Sequence, residues 1–173
     1  DNHRCTFQLN YCIQLMWWTL GRPSEVAEAE WDEFDLEAAV WRIPSRRMKA
    51  RKEHVVPLPR QAIQMLNVLH GITGNRTHLF PGRDNRQMPM AVASMRQALK
   101  VLGWSGKYSP HGTRTTGSTR LNELAYRPDA IEAQLAHADQ NNVRRAYNHA
   151  TYFEERRSMM QDWADHLDVW RKE

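Results

Sequence analysis

Apolar residues Phe7, Leu9, Ile13, Leu15, Met16 and Trp17 recur with the spacing of a buried helix over about residues 4–19. Leu20-Gly21-Arg22 reads as a turn, and Pro23 suits the first position of a second helix continuing through Ser24-Glu25-Val26-Ala27-Glu28-Ala29-Glu30-Trp31. Strand character follows in short segments, around Glu33–Asp35, Val40–Ile43 and His54–Pro57. The last two flank a basic connection, Pro44 to Glu53, and predict a hairpin with a long tip. Helical periodicity then dominates, at about 59–71, 90–102, 112–126, 128–136, 140–148 and 152–168. Gly74-Asn75, Pro81-Gly82 and Gly103-Trp104-Ser105-Gly106 punctuate these segments as loops. The expected fold class is therefore α+β, mainly α-helical, with a small antiparallel three-stranded sheet near the N-terminus. No repeat, low-complexity segment or composition break divides the chain, so residues 1–173 read as one domain.

Composition narrows this modestly. Of 173 residues, 41% are hydrophobic and 25% charged, the balance of a globular chain with a real core. A net charge of +4 and a pI near 9.3 permit a nucleic-acid partner without requiring one. No apolar run approaches the roughly 20 residues that span a bilayer, and no signal peptide is recognisable. The first residues, Asp1-Asn2-His3, lack an initiator Met, which suggests a fragment of a longer protein. Two cysteines, Cys5 and Cys12, do not make a disulfide scaffold and fit a reducing cytoplasm. None of the eight histidines forms HExxH or joins a CxxC pair, so no metal is expected.

The stretch Ser109-Pro110-His111-Gly112-Thr113-Arg114 carries the most chemistry. On the first turn of a helix, His111 and Arg114 at i, i+3 point to one side, giving an anion receptor beside a proton shuttle. Arg22, between a glycine and a helix-opening proline, is either a surface turn residue or a second anion clamp. Arg42, Arg46, Arg47, Lys49, Arg51 and Lys52 crowd the hairpin and its tip. They make either a solvated loop or a finger over a phosphate backbone, with Lys49 able to donate a proton to a leaving oxygen. His137 falls in an interhelical turn. Tyr147, beside Arg144 and Arg145, is a candidate nucleophile; Tyr152 competes with it, and Tyr126 more weakly. At a pKa near 10 only about one tyrosine in a thousand is phenolate at neutral pH, so adjacent cations or a base such as His111 are needed.

In order, these pieces resemble the tyrosine recombinases, in particular the C-terminal catalytic domain of phage and genomic-island integrases. The resemblance rests on Leu20-Gly21-Arg22-Pro23-Ser24-Glu25, Arg47-Met48-Lys49 ahead of His54-Val55-Val56-Pro57-Leu58, His111-Gly112-Thr113-Arg114, Leu135-Ala136-His137 and Arg144-Arg145-Ala146-Tyr147, and covers nearly the whole chain. Leu-Ala-His stands where the family usually has Leu-Gly-His. The resemblance implies the tyrosine recombinase catalytic-domain fold and a site-specific recombinase that cleaves and rejoins DNA through a 3′-phosphotyrosine, for integration, excision or both. Its catalytic residues would be Arg22, Lys49, His111, Arg114, His137 and Tyr147, with Glu25 orienting Arg22 and with Arg46, Arg47, Arg51 and Lys52 on DNA. His111 would be either the base for Tyr147 or a positioning group. No cofactor or metal is implied. Expected partners are double-stranded attachment-site DNA, further copies up to a tetramer, and accessory DNA-bending or excision factors, with no membrane, in the bacterial cytoplasm at the nucleoid. Tyr152, Met159, Met160, Trp163, Leu167 and Trp170 form a stripe on the tail, residues 150–173, which either packs on its own core or docks on a neighbouring protomer. Type IB topoisomerase-like cleavage, or an inactive DNA-binding integrase remnant, are the alternatives.

Overall fold

A computed structural model describes residues 7–137 and 152–172. Helix α1 (Phe7–Thr19) runs through the middle, burying Cys12, Leu15 and Met16. Leu20 turns the chain with φ 54°, and α2 (Pro23–Ala27) follows at once. That turn is tight because Gly21 lacks a side chain: a Cβ there would meet Val26 Cγ2 at 2.9 Å. The second helix is shorter than its sequence pattern predicts. Past Ala27 the backbone pairs elsewhere: Leu79 N–H donates to the Ala29 carbonyl at 2.9 Å, and Trp31 N–H to that of Thr77 at 2.9 Å.

Strands β1 (Phe34–Asp35), β2 (Val40–Ile43) and β3 (His54–Pro57) form an antiparallel sheet in chain order, with Trp41 opposite Phe34 and Val56, and Ile43 opposite His54. The predicted sheet is present, and its second and third strands have the predicted bounds. Glu33 leaves the first strand for a 3-10 turn, Trp31–Glu33, where its buried carboxylate accepts from Trp41 Nε1 at 2.9 Å.

Helices α3 (Arg60–Thr73), α4 (Val92–Val101), α5 (Gly112–Glu123), α6 (Pro128–Gln134) and α7 (Phe153–Trp170) follow. Two apolar clusters result. The larger joins α1, the sheet, α3 and α4 around Leu15, Met16, Trp41, Leu66, Leu69, Phe80 and Met95. The smaller joins Leu20 to α5, α6 and α7 through Leu121, Ile131, Leu135, Met159, Met160 and Trp163. Much of the predicted tail stripe thus packs on its own chain, and Trp163 Nε1 donates to the Trp17 carbonyl at 2.8 Å. Trp170, by contrast, is 40% exposed. Cys12 is a free, buried thiol. The helix expected at 140–148, like Cys5, lies outside the described residues.

The candidate site lies where the two clusters meet. Helix α5 packs closely on the Leu20 turn because residue 117 is glycine; a Cβ there would meet Leu20 Cδ2 at 2.5 Å.

Candidate active site

The site is built on the C-terminal end of α6. Ala136 adopts φ 47°, and two backbone bonds close the helix: Ala136 N–H to the Ala133 carbonyl at 3.2 Å and His137 N–H to that of Glu132 at 3.1 Å. This paired closure is the Schellman arrangement, whose left-handed residue is most often glycine. It accounts for glycine at this place in the family pattern and for what alanine must do here. Three successive carbonyls, those of Gln134, Leu135 and Ala136, remain beyond the helix's own bonding. Each is taken by a basic side chain. His54 Nε2 bonds the Gln134 oxygen at 3.1 Å, Arg114 Nη2 donates to that of Leu135 at 2.5 Å, and Arg22 Nη2 to that of Ala136 at 3.3 Å. The negative end of a helix, with its orphan carbonyls, thereby gathers two guanidiniums in one place.

Arg114 comes from the first turn of α5 and is 5% exposed. Its Nη1 donates to the Leu20 carbonyl at 2.6 Å. Burial, and then the neighbouring charge of Arg22, lower its pKa to about 10, while Glu25 and Glu132 oppose the shift. At neutral pH about one molecule in a thousand would lose that proton, so the group is a fixed cation. Arg22 caps α2. The Glu25 carboxylate accepts from Arg22 N–H at 2.9 Å and from its Nη1 at 2.5 Å. Glu25 thus bonds both the backbone and the side chain of Arg22. The Arg22 guanidinium is held from two sides, by Glu25 of α2 and by the Ala136 carbonyl at the end of α6.

His111 caps α5 and is exposed. His111, Arg114 and His137 line one pocket of about 290 Å³ with Thr115, Ser118, Thr119 and Leu135. The structure therefore brings together three of the six expected catalytic residues in the pocket and places Arg22 on the adjoining carbonyl. His137 Nδ1 donates to Glu132 Oε2 at 2.7 Å, which fixes the ring and leaves Nε2 as its other functional atom. Tyr147 lies outside the described residues. Of its competitors, Tyr126 donates its hydroxyl to Asp162 Oδ2 at 2.5 Å. Burial and that carboxylate push its pKa up to about 12, which disfavours a phenolate nucleophile. Tyr152 caps α7 with its ring under the Arg127 guanidinium at 4.8 Å.

The hairpin tip divides its cations. Lys49, Arg51 and Lys52 are exposed. Arg46 is largely exposed, with an ion pair to Glu30 at 2.9 Å. Arg47 departs from the sequence expectation of a DNA contact. Its guanidinium turns inward, pairs with the buried Glu33 carboxylate, and donates through Nη2 to the Glu25 carbonyl at 2.6 Å. The physical reason is Glu33: a carboxylate at 5% exposure needs a charge partner, and Arg47 supplies it. Arg47 thus roots the tip instead of extending from it.

Residues 3–154 match the model of the phage integrase family. The chain is 47% identical over 162 residues to the prophage integrase IntA of Escherichia coli (strain K12), covering 94% of this chain and 38% of that protein. It is 41% identical over 175 residues to the integrase of Enterobacteria phage P4, covering 92% and 40%. The chain belongs to the phage integrase family. It spans about two fifths of the length of these integrase relatives. Solved integrases and recombinases share the fold. The mycobacterium phage Brujita integrase superposes with a TM-score of 0.67 at 16% identity, over 92% of this chain and 53% of that one. XerA recombinase gives 0.64 at 12%, over 97% and 58%. The Tn1549 transposon integrase, solved with circular-intermediate DNA, gives 0.60 at 19%, over 91% and 59%.

Within this integrase-family chain the sequence reading passed over His54, Gln134 and Arg156 as individual side chains. His54 is desolvated by burial and faces Arg156 and Arg114; these effects outweigh its bond to the Gln134 carbonyl and the nearby Glu25, and bring its pKa down to about 4. It is therefore neutral at physiological pH, and its bond to a carbonyl assigns the proton to Nε2. Their partners lie from 22 residues away, for Arg156 and Gln134, to 115, for Gln134 and Thr19, so no local spacing marks them. Among the described residues of the integrase fold, no group of three or more His, Cys, Asp or Glu side chains converges on a metal-sized site. No described helix is long and apolar enough to cross a membrane.

Proposed function

We propose that this chain is the catalytic domain of a site-specific DNA recombinase, acting at the ends of a prophage or genomic island through a 3′-phosphotyrosine intermediate. The observation that carries this reading is the paired capture of Arg22 and Arg114 by consecutive carbonyls of α6, beside a pocket lined by His111 and His137. Two guanidiniums held in place ahead of the reaction suit the non-bridging oxygens of one phosphate as charge develops on phosphorus.

In the proposed reaction Tyr147 Oη forms a bond to the scissile phosphorus while the bond from phosphorus to the 5′ oxygen breaks. The tyrosine proton passes to a base, for which His111 is the candidate; His111 as a positioning group is the alternative. Lys49, on the exposed tip, gives a proton to the departing 5′ oxygen. His137 donates to a phosphate oxygen from Nε2. Glu132 holds the ring through Nδ1, so Nε2 is the atom offered to the phosphate. The phosphotyrosine retains the energy of the phosphodiester, so a second 5′-hydroxyl reverses the step in a new strand. No redox or nucleotide chemistry enters this sequence. Arg46, Arg51 and Lys52 are the proposed backbone contacts of the tip. Synapsis would assemble up to four copies on double-stranded attachment sites, with accessory DNA-bending or excision factors, at the bacterial nucleoid.

The test is covalent capture on a nicked duplex bearing the element's own end, using full-length protein. Wild type is expected to leave a protein–DNA adduct at a 3′ phosphate. Tyr147→Phe is expected to abolish the adduct while retaining DNA binding. Adduct formation by the Phe variant would move the nucleophile to Tyr152, and absence of the wild-type adduct would remove the recombinase reading.

A further inference from the structure

Gln134 is 1% exposed, yet all its polar groups are engaged. Its Nε2 donates to the Thr19 carbonyl at 2.8 Å, and its Oε1 accepts from Arg156 Nε at 3.0 Å. Its main-chain carbonyl accepts from His54 at 3.1 Å. Arg156, from α7 and 2% exposed, also donates through Nη2 to the Val55 carbonyl at 2.7 Å. Burial lowers its pKa to about 10, so it remains a cation at neutral pH. One amide and one guanidinium therefore tie together the end of α1, the end of α6, strand β3 and the first turns of α7.

The place of these ties matters more than their number. Thr19 immediately precedes Leu20, whose carbonyl holds one side of Arg114, and Gln134 immediately precedes Leu135, whose carbonyl holds the other. Arg22 lies on the first of these segments, and Ala136, which receives it, on the second. The Gln134 amide is thus a strut between the two backbone segments that define where both guanidiniums sit. Arg156 links that strut to the helix that follows the Tyr147 segment in the chain. A buried cation is an expensive way to fill space, since apolar side chains of similar volume pack as well or better.

We propose that Gln134 and Arg156 are positioning residues for strand cleavage: their buried pair sets the spacing of Arg22 and Arg114 and ties it to the C-terminal helix. The inference rests on the recombinase reading, because it takes the two arginines as the phosphate clamp. A pair that only stabilises the fold would lower thermal stability and act independently of the arginines. A positioning pair acts through them.

The experiment is a double-mutant cycle on single-turnover adduct formation, in full-length protein on the nicked end duplex, with DNA affinity and melting temperature measured on each variant. Gln134→Met and Arg156→Met are expected to slow cleavage about 10- to 100-fold, the scale of a displacement of about 1 Å in a reacting group. DNA affinity should stay within about twofold of wild type. In an Arg114→Ala background the same substitutions should slow cleavage less than about threefold further, because the group they position is gone. If either Met variant fails to fold, Gln134→Asn and Arg156→Lys take its place, since each keeps a hydrogen-bond donor; the same non-additivity is expected, with a smaller single effect. Folded variants that cleave at the wild-type rate, or effects that multiply fully with Arg114→Ala, overturn the positioning role. A wild-type protein that forms no adduct withdraws the recombinase reading and this proposal together, and is recognised by that control alone.

Discussion

The two arginines of the site and the lysine of the hairpin tip are all basic side chains, but the protein holds them in opposite ways. Arg22 and Arg114 are fixed by main-chain carbonyls from segments more than 100 residues apart, and Arg114 is buried but for the edge it gives to the pocket. Lys49 sits in an exposed turn, and the nearest firm anchors are the buried Met48 and the ion-paired Arg47 beside it. The difference matches what each would be asked to do. Groups that stabilise charge at phosphorus are most effective when prearranged, whereas a proton donor to a leaving strand has to reach an atom that moves. A rigid cradle and an exposed tip with a rooted base divide these tasks.

The largest expected effect comes from breaking the cradle. Arg114→Ala should slow adduct formation about 10²–10³-fold, by analogy with removal of one prearranged donor. Arg114→Lys should recover little of this, since one ammonium cannot span both the Leu20 and Leu135 carbonyls and a phosphate. Single-turnover gels check both. Breaking the root of the tip is a stability experiment. Glu33→Ala leaves Arg47 and the Trp41 indole N–H without their buried partner, and should destabilise the fold by about 3–5 kcal/mol in denaturant unfolding. Glu30→Ala, which removes only the exposed pair with Arg46, should change it by less than about 1 kcal/mol.

His54 sharpens the comparison through pH. Its pKa falls from 6.5 to about 4 on folding, so between those values the unfolded chain binds more protons. The stability it contributes is complete above pH 6.5 and is lost as pH falls toward 4, by about 3 kcal/mol in all. Unfolding at pH 7.5 and 4.5 should show that loss in wild type and a smaller one in His54→Gln, which is always neutral. The smallest effect is expected at the helix end that carries the cradle. Ala136→Gly should stabilise the protein by about 0.5–1 kcal/mol, because glycine reaches φ 47° without a Cβ penalty.

Local pattern made the sheet and most helices legible: β2 and β3 have the predicted bounds because alternation, flanking turn residues and proline all agree there. Where tertiary pairing overrode propensity, the sequence misled. The run from Pro23 to Trp31 has helical composition, but its second half is claimed by the 77–79 segment. The basic tip shows the same limit in charge. Six cations in eleven residues look alike in sequence, and only the buried Glu33 distinguishes Arg47 from its neighbours. Arg22, Arg114 and His137 were legible through short phrases with family resemblance. Gln134 and Arg156 were not, because beyond their bond to each other they reach backbone carbonyls about 100 residues away, and backbone atoms leave no signature in residue identity.

Gly117 gives the catalytic geometry a tolerance. It has no functional group and does not line the site pocket, yet it lies one turn from Arg114 on the same helix. A methyl group added there would meet the Leu20 side chain at 2.5 and 2.7 Å. Leu20 is fully buried, with its backbone already in the left-handed region, and has little room to yield. The helix would have to back away, carrying Arg114 from the carbonyls that hold it. The closest permitted approach of α5 to the Leu20 turn, and so the place of Arg114 in the pocket, is gauged by a hydrogen atom where every other amino acid would place a carbon.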